Sequence, residues 1–153
     1  MGAIAAAVVF AWLGMVLAIS FLEAPLKFRA PGVTLHLGLG IGRLVFRALN
    51  AVEIVLAAVV VVITVAADPP GRLAPAAVGV AVSVLATQSL FVRPRLRRRS
   101  DAVLAARDNL RAATPGGMIE RSHAHYAYAG LEVVKVAALL TAGAALQVGS
   151  VAG

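Results

Sequence analysis

The sequence predicts an all-α fold, a polytopic integral membrane four-helix bundle. Of its 153 residues, 61% are hydrophobic and 14% are charged, a composition typical of membrane proteins rather than soluble ones. Crossing a hydrocarbon core of about 30 Å takes roughly 20 apolar residues, and four segments meet or approach that length. We place these spans at 3–22, 44–67, 73–92 and 126–149, within a single membrane domain of residues 1–153.

The first span begins in a stretch without any charged side chain. A removed secretory signal explains it poorly, because no basic residue precedes the apolar run and the run exceeds a typical signal core. We therefore predict a retained helix. It should end where Pro25 removes a backbone donor just after Glu23.

The second span is predicted to have a polar beginning and an uncharged remainder. The glycines between 38 and 42 precede it, and without a preceding strand their spacing favours close helix packing over nucleotide binding. The prolines in 68–71 end it. The third span carries Gln88 near its end, and the fourth contains Glu132 and Lys135.

Basic residues set the expected topology. Eight arginines lie in the loop 93–125, and loop 23–43 holds three more basic residues. The connection 68–72 has one basic residue, Arg72, and one acidic residue, Asp68. The positive-inside rule places the first and third loops in the cytoplasm and both termini outside, in what we expect to be a bacterial inner (plasma) membrane. Anionic inner-leaflet lipids are the expected partners of the arginines. Neither a nucleic-acid fold motif nor interleaved aromatics accompany them, so we expect no nucleic-acid partner.

Polar residues inside the second and fourth spans are the strongest functional signal. At about 100° per residue, those of the second span fall within about 120° of one another and those of the fourth within about 80°. Two polar stripes at similar depth predict a shared pocket, open to the cytoplasm, between these helices. Its candidate residues are Arg43, Arg47, Asn50, Glu53, Gln88, His125, Tyr128, Glu132 and Lys135.

Ionisable groups in a bilayer are costly unless they are paired, so this set is either a structural network or one that also handles a ligand, ion or proton. Metal binding is weakly indicated, since the ExxH spacing of di-iron bundles is missing and nearby cations compete for the carboxylates. The conceivable ligands are Glu23, Glu53, His123, His125 and Glu132. The chain has no cysteine, which excludes disulfides, thiolate metal sites and cysteine nucleophiles. We expect no metal and no cofactor.

Several short motifs suggest a family. These are Pro25-Leu26-Lys27-Phe28-Arg29, Gly42-Arg43-Leu44-Val45-Phe46-Arg47, Arg93-Pro94-Arg95 and the entry to the fourth span from His123 to Tyr126. With them, nearly the whole chain resembles the four-helix membrane family called domain of unknown function 4149, to which transmembrane protein 205 is related. The resemblance implies a four-span fold and no settled activity. Glu132 and Lys135 have no counterpart in that pattern.

A second motif is local and comprises Arg43, Asn50 and Glu53. It resembles the stretch on the second helix of the membrane-associated eicosanoid and glutathione metabolism proteins, which are four-helix trimers. That resemblance implies glutathione held by these three residues, with Tyr126 or Tyr128 stabilising a thiolate. The proline that usually follows the glutamate is missing, and the long basic third loop differs.

The expected function is binding or transport of a small anionic or lipophilic solute in the cytoplasm-facing pocket. In this hypothesis Arg43 and Arg47 hold the anion, while the buried ionisable residues balance charge or relay protons. The alternatives are a glutathione-transferase-like enzyme and a non-catalytic membrane subunit or scaffold. An enzyme is the less favoured class, and we expect a homo-oligomer or a subunit of a membrane complex.

Overall fold

The computed structural model describes residues 1–67, 71–92, 94 and 123–151, and all regular structure in this part of the chain is helical. Four helices are long and apolar enough to cross a membrane: Gly2–Arg29, Leu37–Ala67, Leu73–Phe91 and Tyr126–Gly149. The prediction of an all-helical protein with four such segments is therefore confirmed. Residues 68–70 of the predicted stop at 68–71, and nearly all of the basic loop 93–125, lie outside the described residues.

The first helical segment is longer than predicted. Helix α1 (Gly2–Val16) continues as a π-helix over Leu17–Glu23, an α-helical turn Ala24–Leu26 and a 3₁₀ turn Lys27–Arg29. The prediction that it ends at Pro25 was wrong. Pro25 lies at the start of the Ala24–Leu26 turn, where the fixed φ of proline suits a helix, and the wider π-helical turn before it accommodates the missing donor. The segment ends at Ala30, which is extended.

Helix α2 (Leu35–Ala67) also begins earlier than predicted. The Thr34 hydroxyl accepts a hydrogen bond from the Leu37 backbone N–H at 3.3 Å and so caps the helix. The glycines at 38 and 42 consequently lie inside the helix. A Cβ at Gly38 would collide with the Phe28 ring, and one at Gly42 would lie 2.8 Å from Lys27 Nζ. Phe28 and Lys27 belong to the 3₁₀ turn Lys27–Arg29, so these two glycines let the end of the first helical segment lie close to α2.

The last two segments match their predicted positions closely. Helix α3 (Leu73–Thr87) continues as a π-helix over Gln88–Val92, and helix α4 spans His123–Val151. Helix α4 packs extensively against α3 and α1, while α2 packs mainly against α1 and less against α3. Helices α2 and α4 are thus separated by α1 and α3 and approach each other across the interior. The apolar core includes Ala5, Val9, Trp12, Val60, Ala81, Leu139 and Ala142.

Two glycines of α4 should respond differently to the same substitution. An added Cβ at Gly130 would meet nothing within 4 Å, whereas at Gly143 it would lie 2.8 Å from the Phe10 ring of α1. Gly130→Ala should therefore stabilise the protein by about 0.5–1 kcal/mol, because alanine loses less backbone entropy in a helix. Gly143→Ala should stabilise the protein less than Gly130→Ala, or not at all, because its Cβ would crowd the Phe10 ring. Thermal unfolding of both variants in detergent micelles measures the difference, and equal shifts would contradict it.

Candidate functional site

A cluster of buried polar side chains lies between the four helices, centred on the Lys135 ammonium. Its Nζ donates to Glu53 Oε1 at 2.6 Å, to Gln88 Oε1 at 2.9 Å and to Glu132 Oε1 at 3.3 Å. Lys135, Glu53 and Gln88 are fully buried, and Glu132 is 2% exposed. One cation thus contacts two carboxylates and an amide. These four residues and Trp12 are together called the polar cluster.

Helix α1 contributes Trp12 to the polar cluster. Its indole Nε1 donates to Glu53 Oε1 at 3.1 Å, so that oxygen accepts from both Trp12 and Lys135. The sequence-based prediction missed Trp12. The available signal was that a buried tryptophan N–H usually needs an acceptor, and its own helix offers no charged or amide side chain before Glu23. Every helical segment therefore supplies at least one side chain to the polar cluster.

Local helix geometry explains how these side chains converge. Glu132 and Lys135 are three residues apart on α4, a spacing that puts them on the same face. Gln88 is the first residue of the π-helix that follows α3, where the backbone departs from regular α geometry. Single π-helical turns within α-helices are frequent at functional sites. The π-helix after α3 begins at Gln88, the residue that accepts a hydrogen bond from Lys135.

Two atoms of the polar cluster lack a hydrogen bond among the described residues, Gln88 Nε2 and Glu132 Oε2. Glu132 Oε2 lies 3.2 Å from Lys135 Nζ, close enough for an ion pair although the angles do not make a hydrogen bond. Leaving the buried Gln88 Nε2 donor without an acceptor costs about 1–3 kcal/mol, whereas the ion pair with Lys135 offsets part of this cost for Glu132 Oε2. The polar cluster is therefore incompletely satisfied by its own side chains.

Arg43 and Arg47 do not face the polar cluster; both are exposed. At about 100° per residue, Arg43 and Arg47 lie about 80° and 120° from Glu53 around α2, whereas the buried Ala57 lies within about 40° of it. The polar face predicted for α2 is therefore wider than the part of this helix that faces the protein interior. Arg43 and Arg47 lie on the part that faces outward.

The other predicted pocket residues lie around the polar cluster's edge. Asn50 is half-buried and accepts a 2.7 Å hydrogen bond from Ser89, a second residue that the sequence analysis missed. Tyr128 is half-buried with its ring edge-on to Phe46, at 6.0 Å between centroids, and Tyr126 is exposed. The side chain of His125 lies outside the described residues.

Three of the five conceivable metal ligands, Glu23, Glu53 and Glu132, have side chains that the structure describes, and these three do not converge. Glu23 forms an ion pair with Lys27 at 3.3 Å, and Glu53 and Glu132 contact Lys135. The side chains of His123 and His125 are outside the description. In the part of the chain that the structure describes, no three acidic, histidine or cysteine side chains converge as a metal site requires.

Comparison of the chain with protein-family models, with curated proteins and with solved structures gave no match. The two resemblances drawn from short motifs therefore stay predictions. The chemistry of the site itself is therefore the basis for assigning a function to this protein.

Proposed function

We propose that this chain is a four-span integral membrane bundle that binds or transports a small anionic or lipophilic solute. In this proposal the polar cluster balances charge or relays protons during that process. The observation that carries it is the burial of Glu53, Glu132 and Lys135 together between four apolar helices. Ionisable side chains at such depth are costly in a membrane, and for this reason they usually mark ion, proton or substrate pathways.

The outward faces of the helices support membrane insertion. On α2 the exposed side chains include large apolar ones, with Leu44 70% and Val65 78% exposed. In water, apolar patches of this extent are a liability, whereas acyl chains solvate them at no cost. Other exposed large hydrophobics on α2 are Ile54, Val55 and Val62.

Charge distribution supports the orientation that we propose. Lys27, Arg29 and Arg43 lie where α2 begins, at the end of the helices that would face the cytoplasm with both termini outside, in a bacterial inner membrane. This end would contact anionic inner-leaflet lipids. Arg43 and Arg47, exposed at the same end, would attract an anionic solute. A homo-oligomer or membrane complex would cover part of the apolar surface.

Solute-driven proton movement tests the proposal. Liposomes containing the protein and an entrapped pH indicator would be exposed to methanesulfonate or benzenesulfonate, anions that cross lipid slowly without help. We expect a change of internal pH that depends on the protein. Glu132→Gln should reduce it at least about tenfold, because that buried carboxylate lies beside Lys135 and its Oε2 accepts no hydrogen bond from a described residue. Ser83→Ala, at an exposed hydroxyl bonded to its own helix, is the matched control.

A wild-type rate no higher than that of protein-free liposomes would count against the solute proposal, as would a Glu132→Gln rate equal to wild type. One observation favours a second candidate, a subunit or scaffold whose polar cluster fixes helix packing. Lys135 donates to side chains of α2, α4 and the π-helix after α3, which uses all three ammonium protons. In that case Glu53→Gln and Glu132→Gln would lower thermal stability and leave fluxes unchanged.

A further inference from the structure

The two carboxylates of the polar cluster are not equivalent, and Glu132 is the less well compensated one. Among the described residues its polar contacts are all with Lys135, whose Nζ donates to Oε1 at 3.3 Å and lies 3.2 Å from Oε2. The same ammonium lies closer to Glu53, at 2.6 Å, and to Gln88, at 2.9 Å. A negative charge on the buried Glu132 therefore depends on a cation that two other side chains hold more closely.

Glu53 is bound as a fixed counter-ion. Its Oε1 accepts one hydrogen bond from the Trp12 indole at 3.1 Å and another from the Lys135 ammonium at 2.6 Å. Hydrogen bonds to an ionised acceptor are stronger than those between neutral groups. A proton added to this oxygen would displace one of its two donors, so the polar cluster resists protonation at Glu53 Oε1.

A proton added to Glu132 displaces no donor, because its Oε2 accepts no hydrogen bond from a described residue. In the described part of the surrounding segments, the charged groups are Glu53 of α2 and Lys135 of the same helix. The segments α1 and the π-helix after α3 contribute the uncharged Trp12 and Gln88. Protonation of Glu132 therefore leaves the ion pair between Lys135 and Glu53 intact.

We infer that Glu132 is the residue of the polar cluster that takes up and releases a proton, while Glu53 stays ionised beside Lys135. A proton from water at the cytoplasmic end converts the Glu132 carboxylate to the carboxylic acid. The same proton returns to water when the carboxylate forms again. This inference rests on the proposed function, in which the polar cluster relays protons, and it names the group that carries them.

A proton reaches an enclosed carboxylate along hydrogen-bonding side chains and needs no open cavity. Tyr128 precedes Glu132 by four residues, about one turn, and therefore shares its face of α4 on the side of the proposed cytoplasmic end. Its half-buried ring lies edge-on to Phe46, so it packs between α4 and α2. A phenol hydroxyl can both donate and accept, which suits Tyr128 to pass a proton to Glu132.

Infrared difference spectra of the protein in lipid nanodiscs, recorded between mildly acidic and mildly alkaline buffer without any solute, test the inference. A protonated carboxyl inside the bundle should give a C=O band at higher frequency than hydrated carboxylic acids, because it accepts fewer hydrogen bonds. Glu132→Gln should abolish this band and Glu132→Asp should shift it, whereas Glu53→Asp should preserve it. Glu23→Gln is the matched control, at a half-buried carboxylate paired with Lys27, and should leave the band unchanged.

A wild-type spectrum without such a band would overturn the inference, as would a band that persists in Glu132→Gln. A band that Glu53→Asp shifts and Glu132→Asp leaves in place would assign the proton to Glu53 instead. Circular dichroism checks the folding of each variant, and if Glu132→Gln does not fold, Glu132→Asp decides alone. The spectra involve no solute flux, so a missing band refutes the assignment to Glu132, whereas liposomes without solute-driven pH change refute the solute proposal.

Discussion

Lys135→Met should lower the free energy of unfolding by about 3–5 kcal/mol, the usual cost of removing one partner of a buried ion pair. Methionine roughly preserves the volume of the lysine stem, so the loss reflects charge rather than a cavity. Without the ammonium, Glu53 and Glu132 would keep their burial and lose the cation that both now contact. Titration of mixed micelles with sodium dodecyl sulfate measures the effect.

A compensated variant separates the loss of the ion pairs from damage to packing. Combining Lys135→Met with Glu53→Gln and Glu132→Gln removes all three charges, so most of the stability should return. Arg29→Met, at an exposed arginine, should change stability by no more than about 0.5 kcal/mol. A triple variant as unstable as Lys135→Met would show that the polar cluster does not act through charge.

Trp12→Ala should cost about 3–5 kcal/mol, because it deletes a fully buried aromatic side chain from the core. Two terms contribute to this loss. Packing against the apolar core is one, and the 3.1 Å hydrogen bond from Nε1 to Glu53 is the other. Unfolding in mixed micelles again provides the measurement.

Trp12→Phe distinguishes the two terms, since it retains most of the ring and loses the donor. A hydrogen bond to a charged group contributes about 1.5–3 kcal/mol, so Trp12→Phe should lie between wild type and Trp12→Ala. In a Glu53→Gln background the penalty of Trp12→Phe should shrink, because the acceptor is then uncharged. An unchanged penalty there would mean that Trp12 contributes through packing alone. Phe10→Leu, at a 41% exposed ring of the same helix, is the matched control and should cost much less.

The sequence predicted the bounds of the helical segments well where hydrophobic composition alone determines them. The third segment has the predicted bounds, and the fourth extends the prediction by about one turn at its start. Two helix ends were predicted wrongly, the end of the first segment at Pro25 and the start of α2, which is at Leu35. Both depend on local geometry. A π-helix before the proline and the Thr34 cap carry the helix through residues that usually interrupt one.

The polar cluster could be predicted only in part. Glu53, Gln88, Glu132 and Lys135 were recognisable as charged or amide groups in apolar surroundings, and the structure brings these four together. Arg43 and Arg47 share their broad sector but are exposed. A helical wheel gives the angle between residues of one helix and does not give the direction in which neighbouring helices lie.

The sequence by itself determined that this protein has four long apolar helices with ionisable residues inside two of them, because hydrophobic length and the cost of burying charge are properties of local composition. Tertiary structure decided which groups meet. Lys135 reaches Glu53 across the interior, and Trp12 joins them, because of how the helices pack. Packing joins residues far apart in the chain, and no periodicity within a single segment encodes those distances.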